Sequence, residues 1–383
     1  MNIVVNTRLL LHGRLEGIGW FTFENLRRIV IAHPEHNFYF IFDRPYHADF
    51  IFSSNVTPIV VGPPARHPIL YYIWFEISIR HMLHKLKADI FLSPDGYLSL
   101  GSKTPSIAVF HDLNFEHYPA DLPFAERWYY RTFFRKYAAK ASRIATVSEY
   151  SKSDINKQYG TDPGLIDVVY NGANELYAPI DEELKISTRN KYTEGRPYFF
   201  FVGSLHPRKN LINLFRAFDI FKQNDTRNCV LLLAGAKKWW TGEIASVYDS
   251  MKYQDSVIFT GRLETEEMKN VMGAAIALTY VSYFEGFGIP IVEAFRCGTP
   301  VISSNVTSMP EVSGQAALLI NPFKPEEISD AMHMILHDEN LRSKLIEEGF
   351  RRAEIFTWDK SAERLWNCIE KVLKPSAAPL SGK

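Results

Sequence analysis

Short apolar runs alternate along the whole chain with amphipathic segments, and this alternation predicts the fold class. Helix-like segments cover residues 20–34, 68–87, 124–141, 210–224 and 359–374. Strand-length runs cover residues 2–6, 37–43, 57–64, 88–95, 105–112, 166–174, 197–205, 229–235, 256–263, 275–283, 300–306 and 316–322. Within 143–160, Ser148 is a plausible N-cap for a further helix. Apolar strands separated by helices are typical of parallel sheets with helices on both faces, so we predict an α/β protein.

A polar stretch at residues 175–196 has no strong apolar period and divides the alternation into two series. A chain of 383 residues also fits two domains of ordinary size. We expect domains at residues 1–175 and 176–358, with a last helix and a loose tail over residues 359–383. Open parallel sheets bind ligands beyond the carboxyl ends of their strands, so the loops that follow the strands are where chemistry is expected.

Composition narrows the classes of function. The 43 basic and 43 acidic side chains balance, which gives no electrostatic reason to expect a nucleic-acid partner. Cys229, Cys297 and Cys368 show no metal-ligand spacing, so we expect no metal site, no disulfide framework and a reducing cytoplasm. No apolar stretch is long enough to span a membrane, and the first residues lack the features of a secretory signal.

A loop with two adjacent cations follows the run at 197–205. The strand ends at Gly203, and Arg208 and Lys209 stand next to a helix that begins near Asn210. Adjacent cations and a helix N-terminus both favour an anion, so the pair suits a diphosphate. A solvated surface pair remains the alternative, because the segment is not a Walker loop.

The stretch "YFEGFGIPIVEAFRC" holds two glutamates in different backbone settings. Gly286 and Gly288 allow a tight loop after a strand, which places Glu285 at the carboxyl edge of the sheet. Glu293 lies one turn into an apolar helix, where an unpaired carboxylate is costly. Carboxylates accept hydrogen bonds from the vicinal hydroxyls of a sugar or ribose, and a structural ion pair is the alternative for Glu293.

Weaker signals lie in the first half. A strand ends at His111 and Asp112, where the imidazole can bond a hydroxyl or act as an acid or base, although capping is an equal interpretation. Gly17 and Gly19 precede a predicted helix, but Thr22 replaces the third glycine of the dinucleotide fingerprint, which disfavours a hydride-transfer enzyme. The chain also lacks an Asp-x-Asp motif, so no metal clamp for a nucleotide-sugar is expected.

Together these motifs resemble those of the retaining family-4 glycosyltransferases, which have the GT-B fold. The resemblance spans nearly the whole chain and is strongest from Phe201 to Pro322. Glu285 and Glu293 match the two family glutamates that are separated by seven residues, and Glu16 stands where the family often has a glycine. The other matching motifs are Gly203 with Arg208-Lys209, Gly261-Arg262, Gly17-Ile18-Gly19, His111-Asp112, "ATVSEYSKSDI" and "EGFGIPIVEAFRCGTPVISSNVTSMPEV".

The resemblance implies two Rossmann-like domains that face a central cleft, with the C-terminal helix crossing back to the N-terminal domain. It implies that Arg208 and Lys209 bind the donor diphosphate. It further implies that Glu293 binds the ribose, Glu285 contacts the donor sugar and His111 faces the transferred sugar. The catalytic residues would be His111, Arg208, Lys209 and Glu285. The remaining donor contacts would come from Gly17, Gly19, Gly203, Gly261, Arg262, Leu263, Gly286, Phe287, Gly288 and Ile289.

The implied activity is transfer of a hexose from a nucleotide-diphosphate sugar to a saccharide or lipid-linked acceptor in surface polysaccharide or lipopolysaccharide biosynthesis. Mannose from GDP-mannose is favoured, UDP-sugars stay open, and neither a cofactor nor a metal is expected. A nucleotide-sugar epimerase and a sugar phosphorylase keep the same architecture as alternatives. A non-catalytic protein that binds nucleotide-sugars is a third possibility.

Two helical segments of the first half, 70–87 and 126–140, are both aromatic and basic. Basic amphipathic helices can lie on anionic membranes. We favour packing of the aromatic side chains against a sheet with the charges in water, and keep peripheral attachment to the inner face of the membrane as the alternative. The cations concerned are Arg80, His81, Lys85, Lys87, Arg127, Arg131, Arg135, Lys136 and Lys140.

Overall fold

The structure is a computed structural model that describes residues 1–236, 240 and 242–373. Each apolar run predicted as a strand overlaps a strand of the structure, and the segment 143–160 begins with another. The strands are β1 (Asn2–Asn6), β2 (Asn37–Phe42), β3 (Val56–Val60), β4 (Ile90–Ser93), β5 (Ser106–Phe110), β6 (Arg143–Thr146), β7 (Ile166–Val168), β8 (Tyr198–Val202), β9 (Val230–Ala234), β10 (Val257–Gly261), β11 (Ala277–Tyr280), β12 (Val301–Ser304) and β13 (Ala317–Ile320).

Helices connect these strands. The α-helices are α1 (Gly17–Ala32), α2 (Pro68–Ile73), α3 (Arg80–Lys85), α4 (Asn114–His117), α5 (Phe124–Lys140), α6 (Glu149–Tyr159), α7 (Glu182–Thr193), α8 (Leu211–Lys222), α9 (Gly242–Asp249), α10 (Thr265–Ala274), α11 (Ile289–Arg296), α12 (Met309–Ser313), α13 (Pro325–His337), α14 (Glu339–Ala353) and α15 (Trp358–Leu373). Short 3-10 turns cover Ala48–Phe50, Pro119–Asp121, Pro163–Leu165, Pro207–Lys209 and Gln254–Ser256.

Two compact units divide the chain. Unit 1 comprises Met1–Gly172 and the described residues from Trp358 onward, and unit 2 comprises Ala173–Thr357. Helix α15 therefore belongs to unit 1, where Arg28 on α1 donates to Asp359 over 2.5 Å and Trp366 stacks on His33. The expected loose tail lies outside the described residues.

Unit 1 is built on a sheet that has the order β3-β2-β1-β4-β5-β6-β7 among the described residues, with every neighbouring pair parallel. Strands β4 and β5 are buried along their whole length, which explains why their sequences are apolar without alternation. Aromatic side chains from the helices, including Trp74, Phe75 and Tyr137, pack on one face of this sheet.

Unit 2 is built on a second parallel sheet, with the order β10-β9-β8-β11-β12-β13 among the described residues. In each sheet the strand order reverses direction at one point. In unit 1, successive strands are added from β1 toward β3 on one side and from β4 toward β7 on the other. In unit 2, they are added from β8 toward β10 on one side and from β11 toward β13 on the other. Loops that follow the two central strands diverge at such a switch point and leave a crevice at the carboxyl edge.

Two helical predictions need correction. The linker, where the sequence shows no strong apolar period and no helix was predicted, contains α7, whose N-terminus is capped by Asp181 accepting from the Leu184 amide over 2.8 Å. Only Thr188 and Thr193 of α7 are buried, so the helix has no apolar stripe to reveal it. The predicted continuous helix at 68–87 is interrupted by a π-helical stretch, Trp74–Ile79, which turns the adjacent Trp74 and Phe75 into the core.

Candidate functional site

The switch point of the second sheet lies between β8 and β11. The loop after β8 carries Arg208 and Lys209, and the loop after β11 carries Glu285. Because β8 and β11 are neighbours, these side chains meet beyond the carboxyl ends of the two strands although 76 positions separate Lys209 from Glu285 in the sequence. The side chains of Arg208, Lys209 and Glu285 therefore come together because β8 and β11 are adjacent in the sheet.

The cluster is a buried carboxylate held by two cations. The Arg208 Nη1 atom lies 3.0 Å from Glu285 Oε2, and the Lys209 Nζ atom lies 2.6 Å from Glu285 Oε1. Lys209 also donates to the Tyr280 hydroxyl over 2.8 Å and lies over the Tyr280 ring. The Lys209 side chain is 9% exposed and that of Arg208 is 26% exposed, so the guanidinium is the part that solvent reaches.

The positive charges of Arg208 and Lys209 determine the protonation state of Glu285. Burial alone would raise the pKa of Glu285, but the adjacent Arg208 and Lys209 outweigh it and lower the pKa to about 2. Burial and the nearby carboxylate hold the pKa of Tyr280 well above its ordinary value, so its hydroxyl stays protonated. At neutral pH the site therefore holds two positive charges and one negative charge among Arg208, Lys209 and Glu285.

Close backbone contacts fix the loop after β8. Gly203 has a φ of +145°, and a side chain on the neighbouring Gly235 would place its Cβ 1.8 Å from the Gly203 carbonyl oxygen. Arg208 and Lys209 lie in the 3-10 turn directly before α8, next to the helix that the sequence predicted to begin near Asn210. Asn210, with a φ of +61°, anchors the end of this turn by donating to the Val281 carbonyl over 3.0 Å.

Side chains that follow β12 hold the loop after β11. Ser308 Oγ donates to the carbonyl of Glu285 over 2.9 Å and lies 3.2 Å from that of Phe287. The Glu285 amide donates to Thr307 Oγ over 3.3 Å. Gly288, with a φ of +101°, ends the loop and is the N-cap of α11. The backbone of Gly286, Phe287 and Ile289 is therefore held in one conformation at the end of the sheet.

Glu293 lies on α11 among apolar residues, as expected. Burial raises the pKa of Glu293 to about 7, although a hydrogen bond with the Tyr177 hydroxyl opposes the rise. Tyr177 is buried, and its backbone carbonyl accepts from Arg296 Nε on α11 over 3.3 Å. Tyr177 is thus the partner of Glu293, where an Arg or Lys was the alternative expected from the sequence.

The remaining donor-site candidates of unit 2 lie at the end of β10. Gly261 has a φ of +73° and its carbonyl accepts from the Gly235 amide over 2.8 Å. Arg262 is exposed and Leu263 is half-buried. The glycines after β8, β9 and β10 therefore lie side by side at the carboxyl edge of the sheet.

The unit 1 candidates lie at the carboxyl edge of its own sheet. His111 follows β5, its Nε2 lies 2.8 Å from the Pro94 carbonyl oxygen, and its ring packs edge-on against Phe21. Burial lowers the pKa of His111 below its ordinary value, so the imidazole is neutral at pH 7. Asp112 accepts from the Asn114 amide over 2.9 Å in the loop before α4, whose N-cap is Leu113.

The prediction that Gly17 and Gly19 precede a helix is wrong, because α1 begins at Gly17. A side chain on Gly19 would meet Leu15 and the Leu9 carbonyl at 3.1 Å, so these neighbours would have to shift to accommodate one. A side chain on Gly17 would meet nothing within 4 Å. Glu16 is the N-cap of α1 and makes no side-chain capping hydrogen bond.

Comparison with known proteins now identifies the family. Residues 29–175 match the family described as Glycosyltransferase Family 4, and residues 183–352 match the family described as Glycosyl transferases group 1. The chain is a family-4 glycosyltransferase. Both matches fall on the α/β units that carry the candidate residues.

Relatives of this family-4 glycosyltransferase include O-antigen enzymes. It is 27% identical to the O-antigen chain mannosyltransferase B of Escherichia coli, over 80% of this chain and 81% of the relative. It is 29% identical to the O-antigen chain mannosyltransferase RfbU of Salmonella typhimurium, over 72% of this chain and 75% of the relative. The solved structure of Anabaena HepE in complex with UDP-glucose superposes with a TM-score of 0.72 at 17% identity, covering 97% and 100% of the two chains, and establishes the GT-B fold.

Several residues of the site gave no signal in the sequence. Tyr280 lies inside an apolar strand run, and Ser308 lies in a stretch that was recognised only as part of a family motif. Gly235 ends a strand as many glycines do, and Tyr177 lies in the linker. The pattern "SSNVTS" after β12 is the one feature that could have suggested hydroxyl groups near a loop.

Proposed function

We propose that this family-4 glycosyltransferase is a retaining hexosyltransferase that takes its sugar from a nucleotide-diphosphate donor. The favoured donor is GDP-mannose. The favoured acceptor is a saccharide or lipid-linked saccharide of surface polysaccharide or lipopolysaccharide biosynthesis. In this proposal unit 2 binds the donor and unit 1 binds the acceptor.

The charge arrangement between β8 and β11 carries the proposal. Arg208 and Lys209 both contact Glu285, and the Arg208 side chain is 26% exposed. A donor diphosphate would place its negative charge against this guanidinium. Lys209 would hold Glu285 against the sugar hydroxyls and lie close to the same phosphates. Guanidinium groups suit phosphates because their N–H groups match the phosphate oxygens.

The reaction breaks the bond between C1 of the hexose and the β-phosphate oxygen, and the electron pair stays on the diphosphate. Arg208 and Lys209 stabilise that charge as it develops, which is the kind of preorganised electrostatic effect that dominates many enzymes. The acceptor hydroxyl bonds to C1 from the face that the diphosphate leaves, and its proton passes to the diphosphate. The anomeric configuration is thereby retained, and no carboxylate acts as a nucleophile, unlike in the two-carboxylate hydrolases.

The other candidate residues bind the donor. Glu293 accepts hydrogen bonds from the ribose hydroxyls, and His111 contributes a neutral imidazole to the transferred sugar. Backbone groups would contact the phosphates, the sugar and the base. They belong to Gly17, Gly19, Gly203, Gly261, Arg262, Leu263, Gly286, Phe287, Gly288 and Ile289.

A thermal-shift screen against GDP- and UDP-sugars tests the donor. A ligand present at 100 times its Kd should stabilise the protein by about 2.7 kcal/mol, which moves the melting temperature visibly. GDP-mannose should give the largest shift, in keeping with the mannosyltransferase names of the relatives. A shift with UDP-sugars alone would replace the proposed donor. The anomeric configuration of the product, read by NMR, tests retention.

Unit 1 also carries an exposed surface that is both aromatic and basic. The favoured expectation that its aromatic side chains pack inward fails for several of them. Lys136 lies 5.3 Å from the Phe133 ring, and Arg127 lies 5.5 Å from the Phe124 ring, so cations flank the apolar side chains. Large apolar side chains that are at least half exposed here are Ile69, Tyr72, Ile77, Phe124 and Trp128.

We propose that this aromatic and basic surface binds anionic membrane. Co-sedimentation with vesicles that contain anionic lipid should be salt-sensitive and should weaken in the Phe124→Ala/Trp128→Ala variant. The variant Ile186→Ala/Leu319→Ala removes exposed apolar side chains of unit 2 and serves as its control. Equal binding by both variants would contradict the proposal. None of the described helices combines the length and hydropathy needed to cross a bilayer.

The alternative reactions have distinct requirements. An epimerase would convert a nucleotide-sugar without any acceptor, and a phosphorylase would require inorganic phosphate. A non-catalytic binding protein would give a thermal shift with the donor and no transfer to any acceptor. The same donor screen, followed by product analysis with and without acceptor, separates these outcomes.

A further inference from the structure

The switch point of unit 1 holds a buried ion pair that has no part in the proposed reaction. Arg8 follows β1 and Asp95 follows β4, and the Arg8 Nε atom lies 2.5 Å from Asp95 Oδ2. Both side chains are almost completely buried. The guanidinium also lies over the rings of Tyr97 and Tyr71, at 4.4 and 5.0 Å. Replacing a buried ion pair by apolar side chains often leaves stability unchanged or increases it, so stability alone does not account for this pair.

Asp95 is the centre of a network that fixes the loop after β4. Its Oδ1 accepts from Asn6 Nδ2 over 2.7 Å and from Ser93 Oγ over 3.1 Å. Arg8 in turn reaches the Ala65 carbonyl over 3.3 Å. Residues on both sides of Pro94 are thus held by hydrogen bonds, and the direction of the Pro94 carbonyl is fixed with them.

The Pro94 carbonyl determines which nitrogen of His111 carries a proton. A carbonyl oxygen only accepts hydrogen bonds, so the Nε2 atom 2.8 Å away must be a donor. In a neutral imidazole the Nδ1 atom is then unprotonated and can accept a hydrogen bond or a proton. Other groups that face His111 are Asp112 on its own loop, Asp95 beyond Pro94 and the Phe21 ring of α1.

We propose that Arg8 and Asp95 are positioning residues that act through the Pro94 carbonyl to hold His111 as the Nε2–H tautomer, with Nδ1 as the acceptor. The inference deepens the proposed function, because it assigns the atom of His111 that would serve the transferred sugar or the acceptor hydroxyl. It does not depend on that function for its first test.

Histidine ¹⁵N NMR tests the tautomer directly. In the wild type the His111 signals, assigned by their loss in His111→Gln, should show Nε2 protonated and Nδ1 unprotonated at pH 7. In Asp95→Asn they should show a mixture of tautomers. Arg8→Lys keeps the charge but loses the planar guanidinium, and should shift the mixture in the same direction. A single Nε2–H tautomer in both folded variants would overturn the proposal, and so would an Nδ1–H tautomer in the wild type.

Kinetics then test the link to catalysis. Asp95→Asn should lower kcat by about tenfold or more while the donor KM changes less than twofold, because most of the proposed donor contacts lie in unit 2 and Asp95 is not among them. The acid limb of the kcat profile should move to lower pH, since the lost carboxylate and the loosened Pro94 contact both favour neutral His111. The control Asp167→Asn breaks another ion pair of unit 1, to Arg143 over 2.6 Å, and should leave both features unchanged.

The two tests separate two failures. A normal tautomer result with no glycosyl transfer would contradict the proposed function and leave the positioning role intact. Active protein with an unchanged acid limb in Asp95→Asn would contradict the catalytic link, because a merely structural role would lower stability without moving the pH profile.

Discussion

Each sheet places a charged cluster at its switch point, and the two clusters differ in balance and access. In unit 1 one Arg faces one Asp beneath aromatic rings, and both side chains are closed to solvent. In unit 2 two cations face one Glu, and the Arg208 guanidinium reaches solvent. The same topology thus supports a neutral, closed pair in one unit and an open, cationic site in the other.

The difference shows why position in a fold is a weak guide to chemistry. A crevice at the carboxyl edge is common to both sheets, but a site for an ionic ligand also needs a charged group that solvent can reach. The closed pair instead fixes backbone groups around it. Four experiments test this difference between the two units.

Removal of both cations of unit 2 should have the largest effect. Arg208→Ala/Lys209→Ala should lower turnover by at least about 10³-fold, because each preorganised donor of this kind contributes roughly 10²–10³. Steady-state kinetics with the donor found in the screen measure it. The variant Lys344→Ala/Arg351→Ala removes the same charge from the exposed face of α14 and should be fully active. Near-normal turnover in the first variant would disprove the assigned role.

Removal of the Asp95 carboxylate should destabilise unit 1 more than removal of the Glu285 carboxylate destabilises unit 2. Asp95→Ala leaves Arg8 buried without its counter-ion and should destabilise unit 1 by about 3 kcal/mol. This loss of stability is near the lower end of the range for broken buried ion pairs, because the Tyr97 and Tyr71 rings still contact the Arg8 guanidinium.

Glu285→Ala should cost unit 2 less, because water can reach Arg208. Denaturation followed by hydrogen-exchange mass spectrometry reports each unit separately. The opposite order of the two losses would refute the distinction between a closed pair and an open site.

The pH dependence of unit 2 should reveal Glu293. Its pKa is raised to about 7 in the folded protein, so folding favours the protonated form. This contribution is complete below the ordinary pKa of a glutamate and is lost as the pH rises through 7. Between pH 5 and 8 unit 2 should lose up to about 3 kcal/mol of stability, and Glu293→Gln should lose markedly less.

Glu285 contributes no slope in this window, because a pKa of about 2 keeps it ionised throughout. Its own stabilising contribution is lost only as the pH falls from the ordinary glutamate range toward 2. Equal slopes for the wild type and Glu293→Gln would show that Glu293 is ionised in the folded protein.

The smallest expected effect is a gain in affinity for the nucleoside diphosphate when Glu285 loses its charge. Glu285→Gln removes the negative charge from the two cations and should bind the nucleoside diphosphate about tenfold more tightly, equivalent to about 1.4 kcal/mol. Titration calorimetry with GDP and UDP measures it. Asp95→Asn is the matched change in unit 1 and should leave this affinity as it is. Weaker binding by Glu285→Gln would indicate that the carboxylate orders the cations more than it competes for them.

The sequence was most informative where burial was complete. Most strands could be predicted, because strands such as β4 and β9 are buried along their whole length and leave unbroken apolar runs. Strand order could not, because pairing of β8 with β11 depends on contacts between distant segments. Helix α7 was missed because its exposed surface has no apolar stripe.

The candidate site was predictable in part for similar reasons. Arg208, Lys209 and Glu285 could be found because glycines and charges interrupt apolar runs there, and the structure brings all three together. Arg8 and Asp95 gave no signal, since an isolated Arg after a strand and an Asp before a glycine are ordinary loop residues. Their pairing becomes visible only when β1 and β4 are known to be neighbours.

The return of α15 to unit 1 has a consequence for biosynthesis. Unit 2 is one continuous segment inserted between two parts of unit 1. On the ribosome, unit 2 is complete and able to fold while the α1 surface that receives Trp366 is still uncovered. Unit 1 is thus finished last although it is begun first. A gene fragment for residues 173–357 encodes the whole of unit 2, whereas no single fragment encodes unit 1 without unit 2.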